Sequence, residues 1–400
     1  MATQIKKYTK KDGTTAYMFK KYLGIDPITG KQRETTRRGF KSVKEAKLAL
    51  SRLEVEIAEN GLKQNKPIRT YSELCDDWFN LIYKKRVKES TFWNTKTIFD
   101  THIIPILGHL KVNKITVQMC QQYANDWSDS SPKRYKRLIN YAGMIFKYAV
   151  SIGELKDNPM DNIIIPTIEV EEKKANFLSK EELVFFLEQL KQNWDYKRFA
   201  FFFLLSHTGM RKGEALAIQW RDIDLSNKTL TINKTLAVGK NGSLLVQTPK
   251  TKTSIRTIGL DDNTIEVLKQ WKKFQAKELS LLQFIPSVDQ LVFSKSDTNT
   301  LLDPGAPRNW LDTFYRKFPT FKRITVHQLR HTHASLLFMA KADMKQVQSR
   351  LGHSSLSTTY SVYTHLSEEI EKDTANLFAD FMTDKNNLGQ SLGQKKYPLD

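Results

Sequence analysis

Two short polar stretches without periodicity, Gln64-Asn-Lys-Pro-Ile68 and Glu169 to Lys174, constrain this chain more than any other feature of its sequence. Each is followed within a few residues by a capping-box signature, Thr70 with Glu73 and Ser179 with Glu182. In such a box a hydroxyl and a carboxylate three residues apart satisfy unpaired N–H groups at a helix start. Helical patterning therefore restarts at both points, and no single core is expected to run across either. At 400 residues the chain also exceeds what one hydrophobic core usually organises. A hydrophobic content of 40% is enough for more than one. The expected division is residues 1–62, 67–165 and 175–384, with a polar, glycine-containing tail over 385–400.

Charge singles out the first part. Residues 1–66 hold 16 Lys and Arg against 7 Asp and Glu, a surplus of 9 in about one sixth of the chain. Turn signals at Lys11-Asp-Gly-Thr14 and Asp26-Pro-Ile-Thr-Gly30 separate extended segments, among them Thr15 to Leu23 and Arg33 to Phe40. Ser42 with Glu45 opens a helix through about Glu59, stopped before Gly61. A three-stranded sheet with one helix results, its strands studded with Lys20, Lys21, Arg33, Arg37 and Arg38. A basic sheet face of this kind fits a DNA groove, with a merely solvated face as the plain alternative.

The second part reads as four helices, Thr70–Tyr83, Ser90–Ile104, Thr116–Trp127 and Pro132–Ile152, ended by Asp157-Asn-Pro159. The last sets Lys133, Arg134, Lys136 and Arg137 beside Leu138, Tyr141, Ile145 and Phe146, an amphipathic pattern whose basic face is either solvated or turned to DNA. In the third part an apolar helix, Arg198 to Ser206, leads into Thr208-Gly-Met-Arg211. Alternating β-branched residues between Leu230 and Leu260, with Gly239 and Gly242 at a turn, predict a small sheet; from Asp262 the pattern is mainly helical again. The fold class is thus multi-domain α+β: a small three-stranded sheet plus helix, a helical domain, and a mainly helical domain with a small β-sheet.

Sixty-three Lys and Arg against 43 Asp and Glu give a formal charge of +20, which favours a polyanionic partner, nucleic acid before membrane. Cys75 and Cys120 lack the spacing of a zinc site and are too few for a disulfide framework, which fits a reducing cytosol. The lysine-rich start has no apolar leader pattern, and no apolar run approaches a membrane span. A Gly-x-x-x-x-Gly-Lys-Ser/Thr phosphate loop is missing as well, against a nucleotide-fuelled enzyme.

Chemistry concentrates in the third part. Arg211 and Arg330 are guanidinium groups suited to paired hydrogen bonds with a phosphodiester that gains charge under attack. Arg211 follows a turn at a helix start, and His327 and Arg330 stand three apart on a predicted helix, facing one point. Lys250, in Pro249-Lys-Thr-Lys, is placed to protonate a leaving oxygen, and Lys252 competes for the role. His327 and His353 are candidates to accept a proton or hold the phosphate. Tyr363 is a candidate nucleophile, with Tyr360 one helical turn before it. Taken singly, each histidine is more ordinary as a structural hydrogen-bonder. A metal cluster of His327, His331 and His333 is disfavoured, because spacings of four and two do not share one helix face and Arg330 sits among them.

With these motifs in order, Thr-Gly-Met-Arg211-Lys-Gly-Glu, His327-Gln-Leu-Arg330-His-Thr-His, Leu-Gly-His353-Ser and Val-Tyr363-Thr-His, the chain resembles the tyrosine recombinases of the phage integrase type. The resemblance extends to the three-part order: an arm-type DNA-binding domain, a helical core-binding (SAM-like) domain and a catalytic domain. It implies cleavage without metal or cofactor, in which Tyr363 forms a 3′-phosphotyrosyl link and a 5′-hydroxyl is freed. Arg211, Arg330 and His353 would stabilise the pentavalent phosphate, Lys250 would supply the proton, and His327 would assist the tyrosine. Double-stranded DNA with core-type and arm-type attachment sites, a homotetramer on that DNA, an excisionase and a host DNA-bending protein are the implied partners, in a bacterial cytoplasm. A helix over residues 367–382, with Ile370, Leu377, Phe378 and Phe381 on its apolar side, would dock on a neighbouring subunit or on its own domain. A type IB-like topoisomerase needs no separate arm-type domain, and a DNA-binding regulator on a decayed scaffold would not keep every catalytic position filled.

Overall fold

A computed structural model describes residues 4–25, 30–60, 68–168, 176–249, 251–355, 359–360 and 382. Most of the Asp26–Gly30 turn, most of the first linker, the second linker, Lys250, Tyr363, the expected C-terminal helix apart from residue 382, and the tail lie outside the described residues.

The first sheet is antiparallel in the order β1 (Ile5–Thr9), β2 (Thr15–Ile25), β3 (Gln32–Phe40), and α1 (Val43–Asn60) packs on one side of it. Phe19, Ala46 and Leu53 form the centre of its small core. Register decides which basic residues share a face, because directly paired residues of an antiparallel sheet project to the same side. Arg37 pairs with Phe19 and so lies on the side that α1 covers, whereas Arg38 pairs with Met18 and Lys20 with Thr36 on the open side. Lys21, on the helix side, reaches Glu54 of α1 at 2.6 Å; Lys20 pairs with Glu34 at 2.5 Å, both side chains exposed.

The second part is four helical rods, two of them carrying wide turns. α2 (Tyr71–Asp77) continues through a π-helical turn, Trp78–Tyr83, into α3 (Lys84–Arg86). α4 (Glu89–Ile98) continues through another, Phe99–Ile103, into α5 (Ile104–Leu107). Both rods outrun the predicted ends by three residues, and the wide turns fall where rings must interlock: Phe79 meets Phe99, Phe92 and Tyr83 with centroids 5.0, 5.5 and 5.6 Å apart. α6 (Val117–Ser130) and α7 (Tyr135–Ser151) complete the unit. The start of α7 corrects the predicted helix from Pro132: Lys133 and Arg134 belong to a turn in which the Ser131 carbonyl accepts from the N–H groups of Arg134 and Tyr135. Lys136 and Arg137 stand in the first helical turn, where Arg137 bonds the Tyr141 hydroxyl at 2.8 Å.

In the third part α9 (Tyr196–Thr208) is the central helix, packed against α8 (Lys180–Asn193) and, further along the chain, α10 (Lys212–Ala215), α11 (Asp262–Leu281) and α13 (Gln328–Met339). Its apolar run Phe199–Leu205 is buried but for Phe203, which is half-buried. The predicted single sheet is instead two. β4 (Ile223–Asp224), β5 (Thr229–Ile232) and β8 (Arg256–Gly259) form one, and β6 (Thr235–Val238) with β7 (Leu244–Gln247) forms a separate hairpin. The break falls beside Lys234, whose ammonium turns inward to Asp222 and Gln219 at 2.8 to 2.9 Å. α12 (Ala306–Lys317) and α14 (Met344–Leu351) close the domain. Among the described residues no helix is long and apolar enough to cross a membrane.

Candidate active site

Three chain segments far apart in sequence meet at Arg330. Its Nη1 donates to the Gly209 carbonyl at 2.8 Å and its Nη2 to the Leu351 carbonyl at 2.7 Å, and the side chain is 3% exposed. Gly209 caps α9 and Leu351 is the last residue of α14, so one guanidinium joins the Thr-Gly-Met-Arg turn to the Leu-Gly-His turn. Both turns need their glycines. Gly209 and Gly352 adopt φ of +63° and +68°, and a Cβ on Gly209 would come within 2.6 Å of His333 and of Leu351.

Arg211 stands at the start of α10, where its backbone N–H donates to Glu214 Oε2 at 2.8 Å and its Nη1 to Oε1 at 2.9 Å. Pairing with Glu214, the ordinary role for a lone arginine here, does not use the side chain up, since it remains 38% exposed. Glu214 is 2% exposed and also receives Arg256 Nη2 at 3.0 Å. Burial alone raises its carboxyl, but Arg256 and Arg211 outweigh that and hold it below the ordinary value. Sequence reasoning missed Arg256. It lies in an unremarkable strand, Arg256–Gly259, and nothing in the local pattern announces a side chain that also bonds the Arg350 carbonyl at 2.8 Å.

His327 precedes α13, and its ring stands edge-on to His331 with centroids 5.1 Å apart. Desolvation and the nearby His331, Arg330 and Arg211 push it down to about 4. Half-buried His353 is likewise pushed down to about 4, by burial and then by Arg330 and Arg211; its Nδ1 and Thr359 Oγ1 share a hydrogen bond of 2.9 Å. Arg330 itself falls to about 9 from burial and then Arg211, a large shift for a guanidinium. His327 and His353 are therefore both close enough to feel the charges of Arg211 and Arg330. Lys250 and Tyr363 lie outside the described residues, as does the side chain of Lys252. Tyr360, the neighbouring candidate, is exposed. An open cleft of about 1380 Å³ runs along this site, lined among others by Arg211, Lys212, His327, Arg308, Lys322 and Arg323.

His333 stands apart from the other two histidines. Its Nε2 accepts from Arg350 Nε at 3.0 Å, so the ring proton sits on Nδ1 and is donated to the Ser206 carbonyl at 2.8 Å. It is a structural residue. No group of three or more His, Cys, Asp or Glu side chains suited to a metal ion occurs among the described residues.

Comparison with known proteins supplies an independent line. Residues 176–369 match the phage integrase family, residues 70–128 a phage integrase N-terminal SAM-like domain, and residues 4–57 an arm DNA-binding domain. The ICEBs1 integrase of Bacillus subtilis (strain 168) is 29% identical over 375 residues, covering 90% of this chain and 96% of that protein. The integrase of Staphylococcus phage L54a is 30% identical over 348 residues, 80% of this chain and 97% of that protein. Among solved structures, the Tn1549 transposon integrase in complex with circular intermediate DNA superposes with a TM-score of 0.61 at 17% identity, over 76% of this chain and 99% of that one. A lambda integrase tetramer bound to a Holliday junction gives 0.53 at 17% identity, over 89% and 94%.

The geometry around Gly209 and His333 is open to test. Gly209→Ala should destabilise the protein by at least about 1–2 kcal/mol from the left-handed backbone alone, more from the overlap with His333 and Leu351, seen as a lower denaturation midpoint; an unchanged midpoint refutes the packing argument. His333 is pushed down to about 3 by burial and then by Arg350. Below pH 6.5 the unfolded chain takes up a proton that the folded ring refuses, so stability is lost as pH falls from 6.5 toward about 3, by about 1.4 kcal/mol per pH unit. The denaturant midpoint of His333→Gln should fall less steeply than that of the parent over this window, and equal slopes would remove His333 as the cause.

Proposed function

The chain belongs to the phage integrase family, whose tyrosine recombinases cleave and rejoin DNA at specific sites, and we propose that its reaction centre is Arg211, Lys250, His327, Arg330, His353 and Tyr363. The observation that carries this is Arg330: a guanidinium 3% exposed whose protein partners are two neutral carbonyls. A buried cation with no carboxylate bonded to it, and only the field of a Glu214 already paired with Arg211 and Arg256, is costly unless an anion arrives. Three guanidinium groups, Arg211, Arg256 and Arg330, surround the single carboxylate of Glu214, so the site awaits negative charge.

A scissile phosphate supplies it. The Tyr363 oxygen attacks phosphorus and the P–O5′ bond breaks, leaving a 3′-phosphotyrosyl link and a free 5′-hydroxyl. Lys250 donates the proton that O5′ acquires. His327 and His353, neutral near pH 7 because both are pushed down to about 4, hold the phosphate and take the tyrosine proton. The 5′-hydroxyl of a partner duplex reverses the chemistry and exchanges strands. A homotetramer on a Holliday junction is the assembly this requires, as in the lambda integrase structure. Residues 1–62 take arm-type sites, 67–165 and 175–384 clamp the core site, and 385–400 form a tail. Integration, with excision under an excisionase and a host DNA-bending protein, places the activity on DNA in a bacterial cytoplasm.

Helix α7 supports the DNA side of this reading. Its start gathers Lys133, Arg134, Lys136 and Arg137 with no acidic residue in the first turn, where a helix dipole favours negative charge.

The decisive experiment incubates the protein with duplex DNA nicked beside the cleavage position of a verified attachment site and looks for a covalent adduct. The parent should form it, Tyr363→Phe should not, and Arg330→Ala should slow it by about 10²–10³-fold. An adduct with Tyr363→Phe would reassign the nucleophile. For the N-terminal sheet, register separates two neighbours: Arg38→Ala should weaken arm-site binding and flatten its salt dependence more than Arg37→Ala does. Equal effects would remove the open face as the DNA surface.

A further inference from the structure

Lys88 stands just before α4, in the helical unit, yet its ammonium is committed to the catalytic domain. It donates to the Thr248 carbonyl at 2.6 Å, to Thr248 Oγ1 at 3.0 Å and to the Pro249 carbonyl at 2.9 Å. An ammonium has three N–H donors and no acceptor, so all three are spent on one two-residue segment 160 positions away. This is unlike a solvated surface lysine, and Lys88 is half-buried. The same contact is reinforced on both sides. Gln247 Nε2 donates to the buried Ser90 hydroxyl at 2.8 Å, and Lys240 of the hairpin turn lies over the Trp93 ring at 5.5 Å. Gly239 sits so close that a Cβ there would come within 3.0 Å of Glu89 Oε1. The β6–β7 hairpin is therefore docked along the start of α4.

Lys250 is the residue directly after Pro249 in the chain. A peptide unit is planar, so holding the Pro249 oxygen constrains the plane that continues into the next residue. We propose that Lys88 is a positioning residue for the reaction: it anchors the end of the β6–β7 hairpin and so aims the proton donor at O5′ of the scissile phosphate. The inference rests on the reading of Lys250 as that donor. It makes proton delivery depend on the helical domain being seated against the catalytic one.

A DNA substrate with sulfur in place of the bridging 5′-oxygen separates this role from others, because a thiolate leaves without a proton. Lys88→Met should slow adduct formation on ordinary nicked DNA by about ten- to a hundredfold, the scale of a misplaced catalytic group. It should match the parent on the sulfur-bridged substrate, bind the core site as the parent does, and regain activity as Lys88→Arg. Thr248→Val, which removes only one of the three acceptors, should show the same pattern in weaker form and guards against misfolding of the first variant. A defect equal on both substrates, or one that follows weakened DNA binding, overturns the proposal and makes Lys88 a phosphate contact; so does an unimpaired Lys88→Met. Lys250→Ala is the control. If sulfur does not rescue it, the fault lies in the acid assignment; if it does while Lys88→Met is unimpaired, only the positioning role falls.

Discussion

A buried guanidinium held by the ends of two helices is the constraint around which the catalytic domain is arranged. Arg330 bonds the carbonyls of Gly209 and Leu351, the C-terminal ends of α9 and α14. Helix C-termini carry partial negative charge and leave carbonyls unpaired, so the two ends together offset part of the cost of burying a cation. The offset is incomplete, since Arg330 still falls to about 9. Lysine at this position would lack the planar fork that reaches two carbonyls at once. The two left-handed glycines meet the same demand, because each helix must turn away at once after presenting its last carbonyls to Arg330 or to the chain beside it.

Glu214 is the complementary element. A carboxylate 2% exposed is tolerable only with partners of opposite charge, and Arg256 and Arg211 supply two. Their demands differ. Arg256 is 6% exposed and bonds the Arg350 carbonyl, so it is consumed in holding α14 to the sheet. Arg211 stays partly exposed and lines the cleft. One carboxylate thus fixes Arg256 in place and orients Arg211 beside it, and the surplus of positive charge adds to burial, the larger cause, in lowering both His327 and His353. A phosphodiester, with one negative charge, would offset part of that positive field and leave the burial contribution in place.

Much of this was legible in the sequence, for physical reasons that differ by element. Capping boxes at Thr70 and Ser179 announced helix starts because the bonds that satisfy a helix end are local. Arg211, His327, Arg330 and His353 were legible through motif context, and the fold brings them together. Arg256 and Lys88 were not, because their meaning lies in partners 42 and 160 residues away that no local pattern encodes. Helix α7 begins three residues beyond its predicted start, since the Ser131 turn satisfies the backbone groups of Arg134 and Tyr135 in a way composition does not reveal. The split sheet has the same origin: an inward lysine, Lys234, whose partners Asp222 and Gln219 lie on another turn.

The contact between the helical unit and the hairpin differs in kind from the cores on either side of it. Phe79, Phe99 and Phe146 on one side and Phe202, Trp271 and Phe314 on the other are fully buried within their own units. Between them stand Lys88 on two carbonyls, Ser90 with Gln247, and Lys240 over Trp93. Hydrogen bonds of this sort contribute about 1 kcal/mol each, more where a charge takes part. A junction built from a few of them holds the two units together by a few kcal/mol rather than by a shared core, so it can be broken without exposing the buried rings of either.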